Sequence, residues 1–168
     1  MLEISDYSGR RGVIVPLLPK IHALLKETAE KDTLAAFAPP EHYILWKQNA
    51  YKKLVEVHRR WLVVLDGPAL AGFLFYHFET SIDVYIDELR IAWAYRNNGA
   101  VFTLLLDKFA NNHEVRKVTS VFASLAVKKE TSQEILASVG FGETFEGGWE
   151  PLGSLSDAVG ALKLRYGK

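Results

Sequence analysis

The chain has 168 residues, 49% hydrophobic and 12% aromatic, with 20 basic side chains balanced by 20 acidic ones. That length and apolar content support one well-filled core in a single domain over residues 1–168, and the balanced charge excludes a global field that would draw in nucleic acid or anionic lipid. There is no cysteine, no apolar leader in residues 1–12 and no run of eighteen apolar residues, so disulfides, thiolate sites and a membrane span are not expected and the protein reads as cytoplasmic.

Residues 2–4 suit a short strand, and residues 16–31 a first helix in which Leu18, Ile21, Leu24, Leu25 and Thr28 fall near helical spacing. Pro39 and Pro40 interrupt the chain. A second helix is expected over residues 41–59, with Ile44, Leu45, Ala50, Tyr51, Leu54 and Val55 as its apolar stripe and lysines opposite. Residues 61–65 and 70–78 are aromatic-rich apolar runs about Asp66-Gly67-Pro68, the signature of a hairpin. Residues 82–93 form the next strand, 99–112 a helix and 117–125 a buried strand. A short helix then spans residues 132–139, where Thr131 and Glu134 have capping-box spacing and Gly140 is the stop. Final strands are expected at 142–146 and 161–166, which makes the whole a mixed α/β sheet.

Two features of this pattern bear on chemistry. In residues 82–93 the apolar side chains occupy even positions first (Ile82, Val84, Ile86) and odd positions afterwards (Leu89, Ile91, Trp93). A strand keeps one phase, so an extra residue at Asp87-Glu88, a β-bulge, is the economical explanation, and bulges re-aim side chains beside active sites. Immediately downstream, Arg96-Asn97-Asn98-Gly99-Ala100-Val101 lies where strand gives way to helix. Free N–H groups and the positive end of a helix dipole converge at such a place, glycine permits close backbone approach, and arginine adds charge, so the run reads as a site for a phosphate-bearing ligand. As an isolated turn, Asn-Asn-Gly is equally ordinary; its flanks give it meaning.

Those residues resemble the GNAT superfamily of acyl-CoA-dependent N-acyltransferases. The resemblance covers residues 61–146 and follows the family's order of hairpin, bulged fourth strand, pyrophosphate loop, helix, strand and helix, closed by Gly140-Phe141. It implies a mostly antiparallel central sheet of six to seven strands flanked by about four helices, and acetyl-CoA or another acyl-CoA as co-substrate with no metal. By resemblance, the backbone of Leu89 and Ile91 pairs with the pantetheine arm, and Arg96, Asn97, Asn98, Gly99, Ala100 and Val101 receive the diphosphate. Val101 stands where the family usually has a small residue, which raises the expectation that it crowds the phosphates.

Acyl transfer needs a base for the acceptor ammonium and an acid for the leaving thiolate. Three polar positions familiar in the family are replaced here: Leu136 where a Tyr acid is common, Lys129 where an Asn is common, and Ser124 where some members carry an acid. Glu88, at the proposed bulge, is the leading candidate base, with Asp87 second, and Tyr85 is the candidate acid. His22, His42, His58, His77 and His113 are too far apart for a metal clamp and read as surface or packing residues. Trp46, Trp61 and Trp93 read as core, while Trp149 lies in a glycine-rich loop that could border an acceptor cleft or a subunit contact. The expectation is an N-acyltransferase acting on a primary amine of a small molecule or peptide. Its alternative is a GNAT fold kept as an acyl-CoA sensor or protein-interaction module. A homodimer is left open.

Overall fold

In the computed structural model, residues 1–7, 14–32, 42–54, 59–118, 120–123, 137, 140–143, 149–151, 153–154, 157, 160–161 and 164 are described. Strand β1 is Leu2–Asp6, and a 3-10 turn Val15–Leu17 leads into helix α1, Leu18–Asp32. Helix α2 is Tyr43–Leu54; β2 (Arg59–Asp66) and β3 (Ala69–Phe78) form the hairpin; β4 is Asp83–Ile91. A 3-10 turn over Trp93–Asn98 precedes helix α3, Ala100–Ala110, and β5 (Ser120–Ala123), β6 (Phe141–Glu143) and β7 (Trp149–Pro151) complete the set.

The first five strands form one sheet in chain order, antiparallel except for the β4–β5 pair, and β6–β7 form a separate antiparallel ladder. The seven described strands thus match the expected number but are divided between two ladders. Three of the four expected helices lie among the described residues. Of the fourth, only Ala137 is described; it is helical, and the Gly140 N–H bonds its carbonyl at 3.2 Å with Gly140 at φ +87°, the left-handed stop that glycine tolerates.

The sheet alternates its side chains between two layers. Leu62, Val64, Leu74, Tyr76, Val84 and Ile86 face α3, whose Val101, Leu105, Leu106 and Phe109 are buried against them. Trp61, Val63, Phe73 and Phe75 face α1, where Leu18, Ile21, Leu24 and Leu25 are buried. The α1 stripe is the one its spacing predicts. The α2 stripe holds only in part: Ala50 is buried, Ile44 is 70% and Leu45 54% exposed, and the Tyr51 and Leu54 side chains and Val55 lie outside what is described. Tyr43 and Trp46 turn inward instead, edge-on to the buried His22, with Ala50 one turn further along.

Other expectations need correction. The strand expected over residues 82–93 stops at Ile91, and Trp93, read as core from its spacing, is 41% exposed in the 3-10 turn. Residues 161–166 read as a strand in the sequence, but Ala161 and Leu164 are helical; Trp149–Pro151 supplies the last strand. Alternating apolar spacing over so few residues does not distinguish the two periods. Among the described residues no helix is long and apolar enough to cross a membrane.

Candidate active site

The bulge lies where the phase slip predicts it. Phe75 pairs with Glu88 and Tyr76 with Ile86, leaving Asp87 as the extra residue of β4. Val84 and Ile86 before it, and Leu89 and Ile91 after it, consequently pack on the same α3 core despite their opposite parity. The opposite face of β4 carries Tyr85, Glu88 and Arg90, aligned with His77, Phe75 and Phe73 of β3.

Both candidate carboxylates are engaged. Glu88 Oε1 accepts from Arg90 Nη2 at 3.1 Å, and Arg90 is only 7% exposed. Asp87 accepts from Arg59 Nη1 at 2.9 Å and lies 2.9–3.0 Å from His77 Nδ1. His77 Nε2 lies 3.2 Å from Glu79 Oε2, and the imidazole stacks on Tyr85 at 5.5 Å and 13° between planes. Asp87 and Tyr85 are therefore brought together through His77, which spacing alone classes with the surface and packing histidines. A signal for it exists: once the bulge is placed at Asp87, the hairpin register puts residue 77 opposite residue 85. Leu136, Lys129, Ser124 and the loop before Trp149 lie outside the described residues, so no geometry attaches to them.

Beyond the bulge, backbone takes over from side chains. The Ala92 N–H donates to the Ala71 carbonyl at 2.9 Å, which fixes the alternation of the β3–β4 ladder. Residues 88, 90 and 92 turn their polar groups toward β3, and Leu89 and Ile91 turn theirs the other way. The described pairing of β4 with β5 covers only Asp83–Ile86, so the outward groups of Leu89 and Ile91 fall past it. Arg96 Nε donates to the Ile91 carbonyl at 3.0 Å.

At the loop itself, Gly99 sits at φ +66°, ending the 3-10 turn and opening α3 without any side-chain cap. Its left-handed conformation costs glycine little. The first helical bond of α3 runs from the Thr103 N–H to the Gly99 carbonyl at 2.9 Å, so the Val101 and Phe102 N–H groups belong to the turn whose donors point out of the helix end. The Arg96 guanidinium lies 5.0 Å from the Trp93 ring centre, with Lys31 Nζ at 5.2 Å from the same ring. Asn97 is exposed, and Asn98 ends the 3-10 turn beside Gly99. Val101, suspected of crowding a phosphate, points the other way. Its side chain is fully buried and fills the space a Cβ would take at Gly72, 2.7 Å from that position.

No protein-family model and no curated protein matches the sequence. Solved structures do. An acetyltransferase from Thermus thermophilus superposes with a TM-score of 0.67 at 14% identity, over 89% of this chain and 94% of that one. The PaiA N-acetyltransferase of Thermoplasma acidophilum, solved with coenzyme A, gives 0.62 at 17% identity, over 89% and 96%. An aminoglycoside acetyltransferase from an uncultured soil metagenomic sample, solved with sisomicin, gives 0.59 at 15% identity, over 82% and 86%. The chain has the fold of the GNAT acetyltransferases, at 12–17% sequence identity to such structures.

Proposed function

We propose that this protein transfers an acyl group, acetyl in the first instance, from coenzyme A to an amine. The observation that carries the reading is the continuity of β4: a bulge with ionisable side chains at one end, outward backbone groups at Leu89 and Ile91, and a glycine-opened helix start at Gly99. A thioester, a pantetheine arm and a diphosphate need those three things in that order. The Val101 side chain lies under α3, against Gly72, rather than in front of the helix start. Two of the similar structures, one solved with coenzyme A and the other an aminoglycoside acetyltransferase solved with sisomicin, support this division of labour.

In this reading the N–H groups from Asn97 through Val101, with Arg96, receive the diphosphate. Glu88 holds the acceptor ammonium at the bulge, and Tyr85, on the same face of β4, protonates the departing thiolate. An acyl-CoA-binding protein without turnover is the second reading, favoured by the internal engagement of Glu88 with Arg90 and of Arg96 with Ile91.

Thermal shift with acetyl-CoA tests the common ground: ligand at 100 times its Kd adds about 2.7 kcal/mol, worth about 5–10 °C in a domain this size. No shift at millimolar acetyl-CoA or CoA removes both readings. Thiol release across a panel of small amines and peptides then separates enzyme from sensor. Glu88→Gln is expected to raise KM for the amine and lower turnover while leaving CoA affinity unchanged; an unaltered amine KM and turnover reject the role given to Glu88.

A further inference from the structure

The bulge does something more specific than display carboxylates: it places the extra residue's carboxylate against the ring nitrogen of a histidine on the neighbouring strand. We propose that His77, oriented by Asp87, is the group that takes the proton from the acceptor ammonium. The inference rests on the acyl-transfer reading and supplies its missing base.

The geometry of the imidazole argues for it. Asp87 lies 2.9–3.0 Å from Nδ1 through both carboxylate oxygens, so Nδ1 keeps a proton toward Asp87 and Nε2 is the nitrogen that exchanges one: protonated, it donates to Glu79 at 3.2 Å, and with Glu79 turned to solvent it presents its lone pair. Arg59 fixes the carboxylate from β2 at 2.9 Å, and the Tyr85 ring fixes the imidazole plane from β4. The ring is thus restrained from both neighbouring strands. A histidine serving only as packing needs no such arrangement, and His22, which does pack, is enclosed by Tyr43 and Trp46. Nε2 faces Glu79, whose side chain is 63% exposed in the β3–β4 turn and can swing between the imidazole and solvent. Glu88, by contrast, already accepts from the buried Arg90 guanidinium. It is better placed to attract an ammonium than to carry its proton away.

The step balances without any further reactant. Nε2 accepts one proton from the ammonium, and the freed lone pair forms the N–C bond at the acyl carbonyl. The tetrahedral adduct collapses with cleavage of C–S; the Tyr85 hydroxyl gives its proton to the departing sulfur, and the second amine proton restores the phenol. The imidazolium returns its proton to water past Glu79. The ionisable groups facing His77 among the described residues are Arg59 from β2, Glu79 from the turn, and Tyr85 and Asp87 from β4. Asp87 acts as a positioning residue, through His77.

The test is His77→Gln in the full chain, with acetyl-CoA affinity read by calorimetry and thiol release read against two acceptors: an alkylamine that is an ammonium at pH 7, and hydroxylamine, which is already neutral there. We expect turnover of the alkylamine to fall about 100-fold at pH 7, with the loss shrinking as pH rises. Hydroxylamine turnover and acetyl-CoA affinity should stay within about twofold of wild type. Asp87→Asn should lower kcat for the alkylamine with little change in its KM and should displace the pH profile. A His77→Gln enzyme that keeps alkylamine turnover within about threefold, or loses both acceptors equally, overturns the proposal. A wild type that binds acetyl-CoA but turns over neither these acceptors nor any amine of the wider panel overturns the transfer reading and the role of His77 with it, and leaves the binding-protein reading standing. One that binds no acetyl-CoA overturns the acyl-transfer reading beneath it.

Discussion

Replacing Gly72 by alanine probes how the start of α3 is held. A Cβ on residue 72 would stand 2.7 Å from Val101 Cγ1 and 2.8 Å from the Arg90 carbonyl oxygen. Ordinary carbon–carbon contact begins near ~3.5 Å, so α3 must recede by about 0.8 Å at its first turn, or β4 must move. Neither yields easily, since valine in a helix has essentially one rotamer and the other obstacle is backbone. Overpacking of this kind costs about 1–3 kcal/mol, which at about 2–4 °C per kcal/mol lowers Tm by roughly 4–8 °C for the middle of that range. Because the displaced elements carry Ile91 at one end and Gly99 at the other, CoA should also bind more weakly. Losing one charge-assisted contact is worth about 1.5–3 kcal/mol, or tenfold and more in Kd. Adding Val101→Ala to Gly72→Ala relieves the first clash but not the second, so the double variant should recover part of the affinity and fall short of additivity. Thermal unfolding and calorimetric titration with CoA read both effects. A Gly72→Ala protein with unchanged Tm and unchanged CoA affinity would refute the claim that α3 is seated through this contact.

Two further predictions concern the same region. Arg96→Ala should weaken acetyl-CoA binding about tenfold or more while leaving the affinity for acetyl-pantetheine, which lacks the diphosphate, unchanged; equal losses for both ligands would show that Arg96 acts through the Ile91 carbonyl instead. The Tyr95 hydroxyl is held above its ordinary range, first by burial and then by its hydrogen bond to Asp66 at 3.2 Å. The fold favours the neutral phenol, so this contribution is present below about pH 10, the ordinary tyrosine value, and is lost as pH rises through the higher folded one. Tyr95→Phe should therefore show a shallower fall of Tm between about pH 9 and 11 than wild type.

Much of the site is legible in the sequence because it obeys local rules. The bulge announces itself as a change of parity between Ile86 and Leu89, and the left-handed helix start at Gly99, the proposed anion loop, as a glycine between a strand and an apolar helix. What escapes reading depends on direction or on tertiary pairing. A motif gives no direction for the Val101 side chain, which lies four and eight residues before Leu105 and Phe109, on the helix stripe that faces the sheet. His77 and Asp87 are ten residues apart and meet only once the bulged register is known. Trp93 is as apolar as the strand it follows, but two cations flanking an indole stabilise a half-exposed position that hydrophobicity alone does not anticipate.

Strand β4 also works as a ruler. From Glu88 at the bulge to Ile91 the backbone advances about 3.3 Å per residue, or roughly 10 Å, before the turn that leads to Gly99. The strand is braced along that length by β3, so under the proposed function the separation between the acyl end and the phosphate end is set by residue count and cannot stretch to suit a donor. On that proposal, selection among thioesters depends first on the length of the arm linking sulfur to diphosphate, before any side chain touches the acyl chain. A single residue inserted between Leu89 and Ile91 would shift that measure by one step and turn the outward backbone groups inward.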